Sequence, residues 1–360
     1  MNAQYKRVVV KIGSNVLTQK DGTLDTARME SLVNQVAQLH QAGVEVILVS
    51  SGAVASGRSE MKLQKKLDPV SARQLFSAVG QAKLINRYYE LFAKHGMICG
   101  QVLTTKDSFG TRIQYLTQKD CMSVMLDNKV VPIVNENDTI SVTELMFTDN
   151  DELSGLLATM MQAEALIILS NIDGIYDGDP NLPESKVITE IAPKRNLSKY
   201  IQTGKSSFGR GGMLTKCNIA RKVAEEGITV MIANGKRDGI LLDLIDKESQ
   251  IKHTTFIANE REASGVKKWI AHSESFAKGR VIVNQGAAEA LTSDKAHSLL
   301  FIGITTIEGS FEKGDIVKIT TEYGTELGVG KAQMDSEKAT ANIGKKGLRP
   351  FIHYDYLFIN

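Results

Sequence analysis

Six short segments of this chain hold side chains able to bind phosphate, carboxylate or ammonium groups. Val8–Leu17 (VVVKIGSNVL) runs an apolar stretch into a turn. Gly13 would let the backbone approach a phosphate closely, and Lys11 would set a positive charge beside it. A lysine at a strand end is also a common solvated charge, so this segment says little by itself. Ser50–Gly57 (SSGAVASG) follows another apolar run. Small residues at the carboxyl end of a parallel strand leave room for a ligand, and Ser51 with neighbouring N–H groups could hold a carboxylate. A tight strand–helix turn would use the same residues.

Asn135–Asp138 (NEND) and Thr148–Glu152 (TDNDE) are dense in carboxylates and amides. Such groups can hold an ammonium, accept from lysines or orient a hydrated Mg²⁺. They are also ordinary turn formers. Ser170–Pro180 (SNIDGIYDGDP) is a loop by its Asp-Gly and Asp-Pro steps, and only its place after an apolar strand suggests nucleotide binding. Gly209–Lys216 (GRGGMLTK) leads into a helical pattern. Glycines and exposed N–H groups at a helix start suit an anion, and Lys216 adds charge.

These segments need elements to hold them. Arg7–Ile12, Val44–Ser50, Val130–Val134, Ala165–Ser170 and Ile228–Ala233 read as buried strands. Leu24–Gln41 sets Met29, Leu32, Val33, Val36 and Leu39 on one helical face and stops at Gly43. Asp68-Pro69 opens a helix that ends before Gly96, and Met213–Glu226 forms another, closed by Gly227. Strand–helix alternation predicts an open α/β fold, a mainly parallel sheet with helices on both faces. From residue 278 onward, short alternating runs broken by glycines predict a small, mostly-β domain. The expected division is 1–257, a polar linker at 258–277, and 278–360.

Composition narrows the function classes. The 360 residues carry 43 Lys+Arg against 41 Asp+Glu, a net charge of +2. That balance offers no general attraction to nucleic acid or membrane. Residues 278–360 hold ten basic and ten acidic side chains, which argues against RNA binding there. Cys99, Cys121 and Cys217 lie far apart, form no metal-ligand spacing and suit a reducing compartment. The first residues lack the apolar core of a signal peptide, and no run is long enough to span a bilayer, so a cytoplasmic location with no membrane partner is expected. There is no GxxxxGK[ST] P-loop and no protein-kinase signature set. The six histidines are scattered.

In this order, VVVKIGSNVLT, SSGAVASGR, VVPIVNENDTI, TDNDELS and GGMLTK resemble the amino acid kinase family, from about residue 5 to 257. KGRVIVNQGAAEAL to KITTEYG resembles a PUA domain, which many bacterial members carry. VNENDT with TDNDELS is most similar to the members that phosphorylate the γ-carboxylate of L-glutamate, at the start of proline synthesis. That resemblance implies ATP as co-substrate with Mg²⁺, no metal held by the protein alone, and a homo-oligomer (dimer or tetramer). It also implies feedback inhibition by proline. Lys11 and Lys216 would touch the transferring phosphoryl group, with Asp151 between them. Ser51, Asp138 and Asn150, with Asn135 nearby, would bind glutamate. Lys11, Gly13, Ser170, Asn171, Arg210, Gly211, Gly212, Met213, Leu214, Thr215 and Lys216 would bind ATP. Ser170-Asn171 stands where the family often has Thr-Asp, and Arg210 where it often has Thr. Other members act on N-acetylglutamate, aspartate, carbamate or nucleoside monophosphates.

Overall fold

The computed structural model describes residues 2–61, 65–140, 149–180, 182, 184–192, 213–259, 270, 277–293 and 297–359. These fall into two compact units, one drawn from residues 1–105 and 119–262, the other from 106–118 and 263–360.

The first unit is built on eight strands: β1 (Arg7–Ile12), β2 (Glu45–Ser50), β3 (Ile98–Thr104), β4 (Val130–Glu136), β5 (Ala165–Ser170), β6 (Glu190–Ile191), β7 (Thr229–Asn234) and β8 (Thr254–Phe256). They form one sheet in the order β3-β4-β2-β1-β5-β7-β8-β6. All neighbours run parallel except β7 and β8. The helices are α1 (Ser14–Leu17), α2 (Thr26–Gln41), α3 (Ala53–Glu60), α4 (Pro69–Ala93), α7 (Asn150–Met160), α8 (Met213–Glu225) and α9 (Ile240–Ile245). Between α4 and α7 in the chain, α5 (Asp107–Gly110) belongs to the second unit and α6 (Arg112–Asp127) begins in it.

Alternation along the strands sorts side chains onto two faces. Val8, Val10 and Ile12 of β1 share a fully buried cluster with Leu32 and Val36 of α2, Leu84 of α4 and Ile240 of α9. Val9 and Lys11 point to the other face, where α7 packs on β1 and β5. That helix buries Leu153, Leu156 and Leu157. Helices therefore cover both faces of a mainly parallel sheet, as the strand–helix alternation requires.

The punctuation acts where it was expected. The Asp68 carboxylate accepts from the Val70 and Ser71 N–H groups, and Pro69 occupies the first turn of α4. Gly43 and Gly96 adopt positive φ just after α2 and α4. The sequence reading missed β3 and α6, and α3 appeared in it only as a small-residue turn. In the sequence, Asn150–Glu152 carry only the signal of turn-forming, ligand-binding side chains. In the structure they form the first turn of α7, because Asp149 caps that helix by accepting from the Asp151 and Glu152 N–H groups.

The second unit holds β9 (Gly279–Val283), α10 (Gln285–Leu291), β10 (Ile304–Gly309), β11 (Ile316–Thr321), β12 (Glu326–Lys331), α11 (Ser336–Thr340) and β13 (Leu357–Ile359). Its sheet runs β10-β9-β11-β12-β13. Its own core gathers Val281, Phe301, Val317, Ile319, Phe351 and Ile352. No helix of the described residues is long and apolar enough to cross a membrane.

Candidate active site

Open α/β sheets bind ligands beyond the carboxyl ends of their strands. Here the ends of β1, β2, β4 and β5 border a cavity of about 900 Å³ in the first unit. Among the residues that line it is Asp151, fully buried in the first turn of α7. Its Oδ1 is 2.7 Å from the Lys11 ammonium and its Oδ2 is 2.8 Å from the Lys216 ammonium. Lys11 comes from the end of β1, and Lys216 from the first turn of α8. Burial alone would raise the Asp151 pKa, but the two lysines hold it well below the ordinary carboxylate range. The Lys216 ammonium is in turn held charged: burial works against it, and Asp151 more than offsets that.

Asp149 sits beside this triangle. Burial and the neighbouring Asp151 charge push its carboxyl upward. Its Oδ1 caps α7, while its buried Oδ2 has no hydrogen-bond partner among the described residues. Among those residues no three His, Cys, Asp or Glu side chains form a metal cage. An unpartnered carboxylate at the cavity wall would suit Mg²⁺ carried on a nucleotide, since that ion keeps its waters and needs only one or two protein carboxylates.

The other end of the cavity is a chain of amides and carboxylates. Asn150 Nδ2 donates to Ser51 Oγ at 2.9 Å and to Asn135 Oδ1 at 3.0 Å. Asn135 Nδ2 donates to Gln81 Oε1 at 2.9 Å. Asp138 accepts from Arg73 and, at 3.2 Å, from the Ser77 hydroxyl. Arg73 also reaches Glu136 at 3.1 Å. Burial raises the Asp138 pKa, and the Arg73 charge works against that rise. Gly52, at φ 115°, turns the chain from β2 into α3, a conformation that glycine adopts without strain. The first turn of α3 then lines the cavity beside Ser51.

Lys11, Gly13, Ser51, Asn135, Asp138, Asn150, Asp151, Ser170, Asn171, Met213 and Lys216 all line this one cavity. The Gly13 N–H donates to the Leu169 carbonyl at 3.1 Å, and a Cβ at Gly13 would stand 3.0 Å from that same oxygen. Leu214 and Thr215 follow Met213 in α8 and are not among the lining residues; Leu214 is exposed. Arg210, Gly211 and Gly212 lie outside the described residues. The sequence includes Glu136 and Asp149 in the NEND and TDNDE segments without a role of their own, and marks neither Arg73 nor Gln81. Asp149 carried a signal, an N-cap aspartate before a helix rich in first-turn acids. The α4 side chains carried another: Arg73, Ser77 and Gln81 recur at helical spacing on a face that also holds Phe76 and Leu84.

Residues 6–234 match the amino acid kinase family, and residues 279–350 match the PUA domain. A glutamate 5-kinase of Bacteroides thetaiotaomicron is 64% identical over 100% of both chains. A glutamate 5-kinase of Chlorobaculum tepidum is 52% identical, covering 99% of this chain and 98% of its own. Among solved structures, a UMP kinase from Bacillus anthracis aligns over 71% of this chain and 97% of its own, at 17% identity and a TM-score of 0.49. With the family match spanning residues 6–234 and with full-length relatives this similar, the chain belongs to the amino acid kinase family.

Proposed function

We propose that this protein transfers the γ-phosphoryl group of ATP to the γ-carboxylate of L-glutamate, forming L-glutamyl 5-phosphate. The observation that carries the reading is the Lys11–Asp151–Lys216 triangle, supported by the names of the full-length relatives. The acceptor carboxylate has an unperturbed pKa of about 4.3, so it is ionised at neutral pH and needs no general base. One of its oxygens attacks the γ-phosphorus as the bond to the ADP oxygen breaks. The obstacle is the approach of one anion to another, so positioning and fixed positive charge must lower the barrier.

Lys11 and Lys216 face the charge that spreads over the moving phosphoryl group. Asp151 holds both ammonium groups at fixed positions. Ser51, Asn135, Asp138 and Asn150 form the amino-acid end. Ser170, Asn171, Met213 and the segment around Arg210–Thr215 form the nucleotide end. Mg²⁺ on the nucleotide would offset phosphate charge, with Asp149 as the protein carboxylate nearest to hand. For this role we divide the chain into a kinase domain at 1–257, a linker at 258–277 and a PUA domain at 278–360. The same reading places the protein in the cytoplasm, at the entry to proline synthesis, as a homo-oligomer inhibited by proline.

The test is ADP release with L-glutamate, ATP and Mg²⁺, with hydroxylamine present to trap an acyl phosphate. Glutamate-dependent hydroxamate is the expected result. Turnover with N-acetylglutamate, aspartate, carbamate or a nucleoside monophosphate in place of glutamate would overturn the substrate and keep the chemistry.

A further inference from the structure

Asp138 is where the amino-acid end meets α4. Its side chain is only 8% exposed, and the described groups that face it come from two elements. From α4, one turn apart, come the Arg73 guanidinium and the Ser77 hydroxyl. From β4 comes Glu136, which shares the same guanidinium nitrogen, Nη2. Arg58 of α3 lines the same cavity, its guanidinium 5.5 Å above the Phe76 ring of α4. A buried aspartate without a cation would tend to hold its proton, and it would then offer nothing to a substrate ammonium.

We propose that Arg73 is a positioning and specificity-determining residue: bridging Glu136 and Asp138, it keeps Asp138 ionised and aimed so that the amino-acid pocket recognises an α-ammonium group. This rests on the proposed reaction, in which Asp138 belongs to the amino-acid site. Arg73 acts through Asp138 and touches no reacting atom. The planar guanidinium suits the task, because it can reach two carboxylates from a fixed geometry and does not lose its charge. The substrate's α-amino group then becomes the feature that Arg73 controls, and its two carboxylates do not.

The test pairs each amino acid with its analogue lacking the amino group. Kinetic and inhibition constants for L-glutamate and glutarate are measured in the wild-type chain, Arg73→Gln, Arg73→Lys and Asp138→Asn, with melting curves to confirm folding. Arg73→Gln should weaken L-glutamate about 10- to 100-fold, the scale of one charge-assisted hydrogen bond, with kcat little changed. Glutarate binding should stay near its wild-type value. Arg73→Lys should recover part of the loss. The acid limb of 1/KM against pH should move to higher pH in Arg73→Gln, because Asp138 loses the charge that opposes its protonation.

Equal losses for glutamate and glutarate would overturn the proposal, since Arg73 would then be contacting a carboxylate or supporting the fold generally. An unchanged glutamate constant would overturn it too. If the wild-type chain takes another amino acid and rejects glutamate, the glutamate assignment fails. The proposal then stands or falls on whether Arg73→Gln loses that amino acid while sparing its des-amino analogue.

Discussion

Two lysine ammonium groups share the carboxylate of Asp151, which has no solvent exposure. Lys11→Ala or Lys216→Ala removes one preorganised positive charge and should lower kcat by about 10²–10³-fold in a chain that still melts cooperatively. Asp151→Asn should lower kcat more than it alters the glutamate KM, because its partners are the lysines and not the amino acid. It should also destabilise the chain by about 3–5 kcal/mol near neutral pH, the usual cost of breaking a buried ion pair from one side. The sign follows from the depressed pKa. The stabilisation is present above the unfolded carboxyl's value, near 4, and fades as pH falls through the lower folded value. Melting curves of both proteins from pH 7 to pH 3 should therefore converge toward the acid end. A gap that widened there would refute the pairing. Lys11 and Asp151 lie in segments that stand out in the sequence only when read together and in order, through the family resemblance. Arg73 and Glu136 were not recognisable, although each stands in or near a segment of interest. Their pairing spans 63 residues, and neither side chain's type names its partner.

At the scale of the element, α4 supports the end of the cavity proposed for the amino acid. Arg73 lines the cavity, Ser77 and Gln81 hold its lining residues Asp138 and Asn135, and Gly80 lets α4 lie against α3. A Cβ on Gly80 would stand 1.8 Å from the Ala53 carbonyl oxygen, which is backbone and cannot step aside. Gly80→Ala should force the two helices apart, lower the melting temperature by several degrees and raise the glutamate KM, with the nucleotide KM least affected. Steady-state kinetics with each substrate varied in turn would check this. The extent of α4 was readable from Asp68-Pro69 at one end and Gly96 at the other, since these fix local backbone geometry. The helix α7 was not, because Asp and Asn favour turns and helix N-caps alike, and only the hydrogen bonds from Asp149 decide between them. β3 escaped notice because it lies at the sheet edge, where Ile98 and Leu103 are exposed and Gly100 and Gln101 break the apolar run.

At the scale of the molecule, each unit has hydrophobic core residues of its own among the described residues. Phe351 is fully buried in the second, with ring centroids 5.5 Å from Phe301 and 6.2 Å from Phe311. Phe351→Ala should lower the melting of that unit by on the order of 10 °C or more, by the usual cost of emptying an aromatic site. Differential scanning calorimetry should show a transition that moves while the glutamate KM does not. Alternation of strand and helix signals up to residue 257 and their replacement by glycine-punctuated short runs made both cores foreseeable. The association of residues 106–118 with the second unit was not, since no local pattern encodes a contact so distant along the chain.

The sheet order β3-β4-β2-β1-β5-β7-β8-β6 also bears on synthesis. Every strand on one side of β1 is made before residue 137, and β5 on the other side arrives only at Ala165–Ser170. While the chain emerges from the ribosome, β1 (RVVVKI) therefore stands as a bare, flat, apolar edge, the kind that invites pairing with a second chain. The same strand delivers Lys11, so a lysine of the cavity is carried on that open edge until β5 pairs with it. The ribosome's pace through residues 137–170, and any chaperone that shields an open strand during that interval, will govern how much active protein a cell obtains from this sequence.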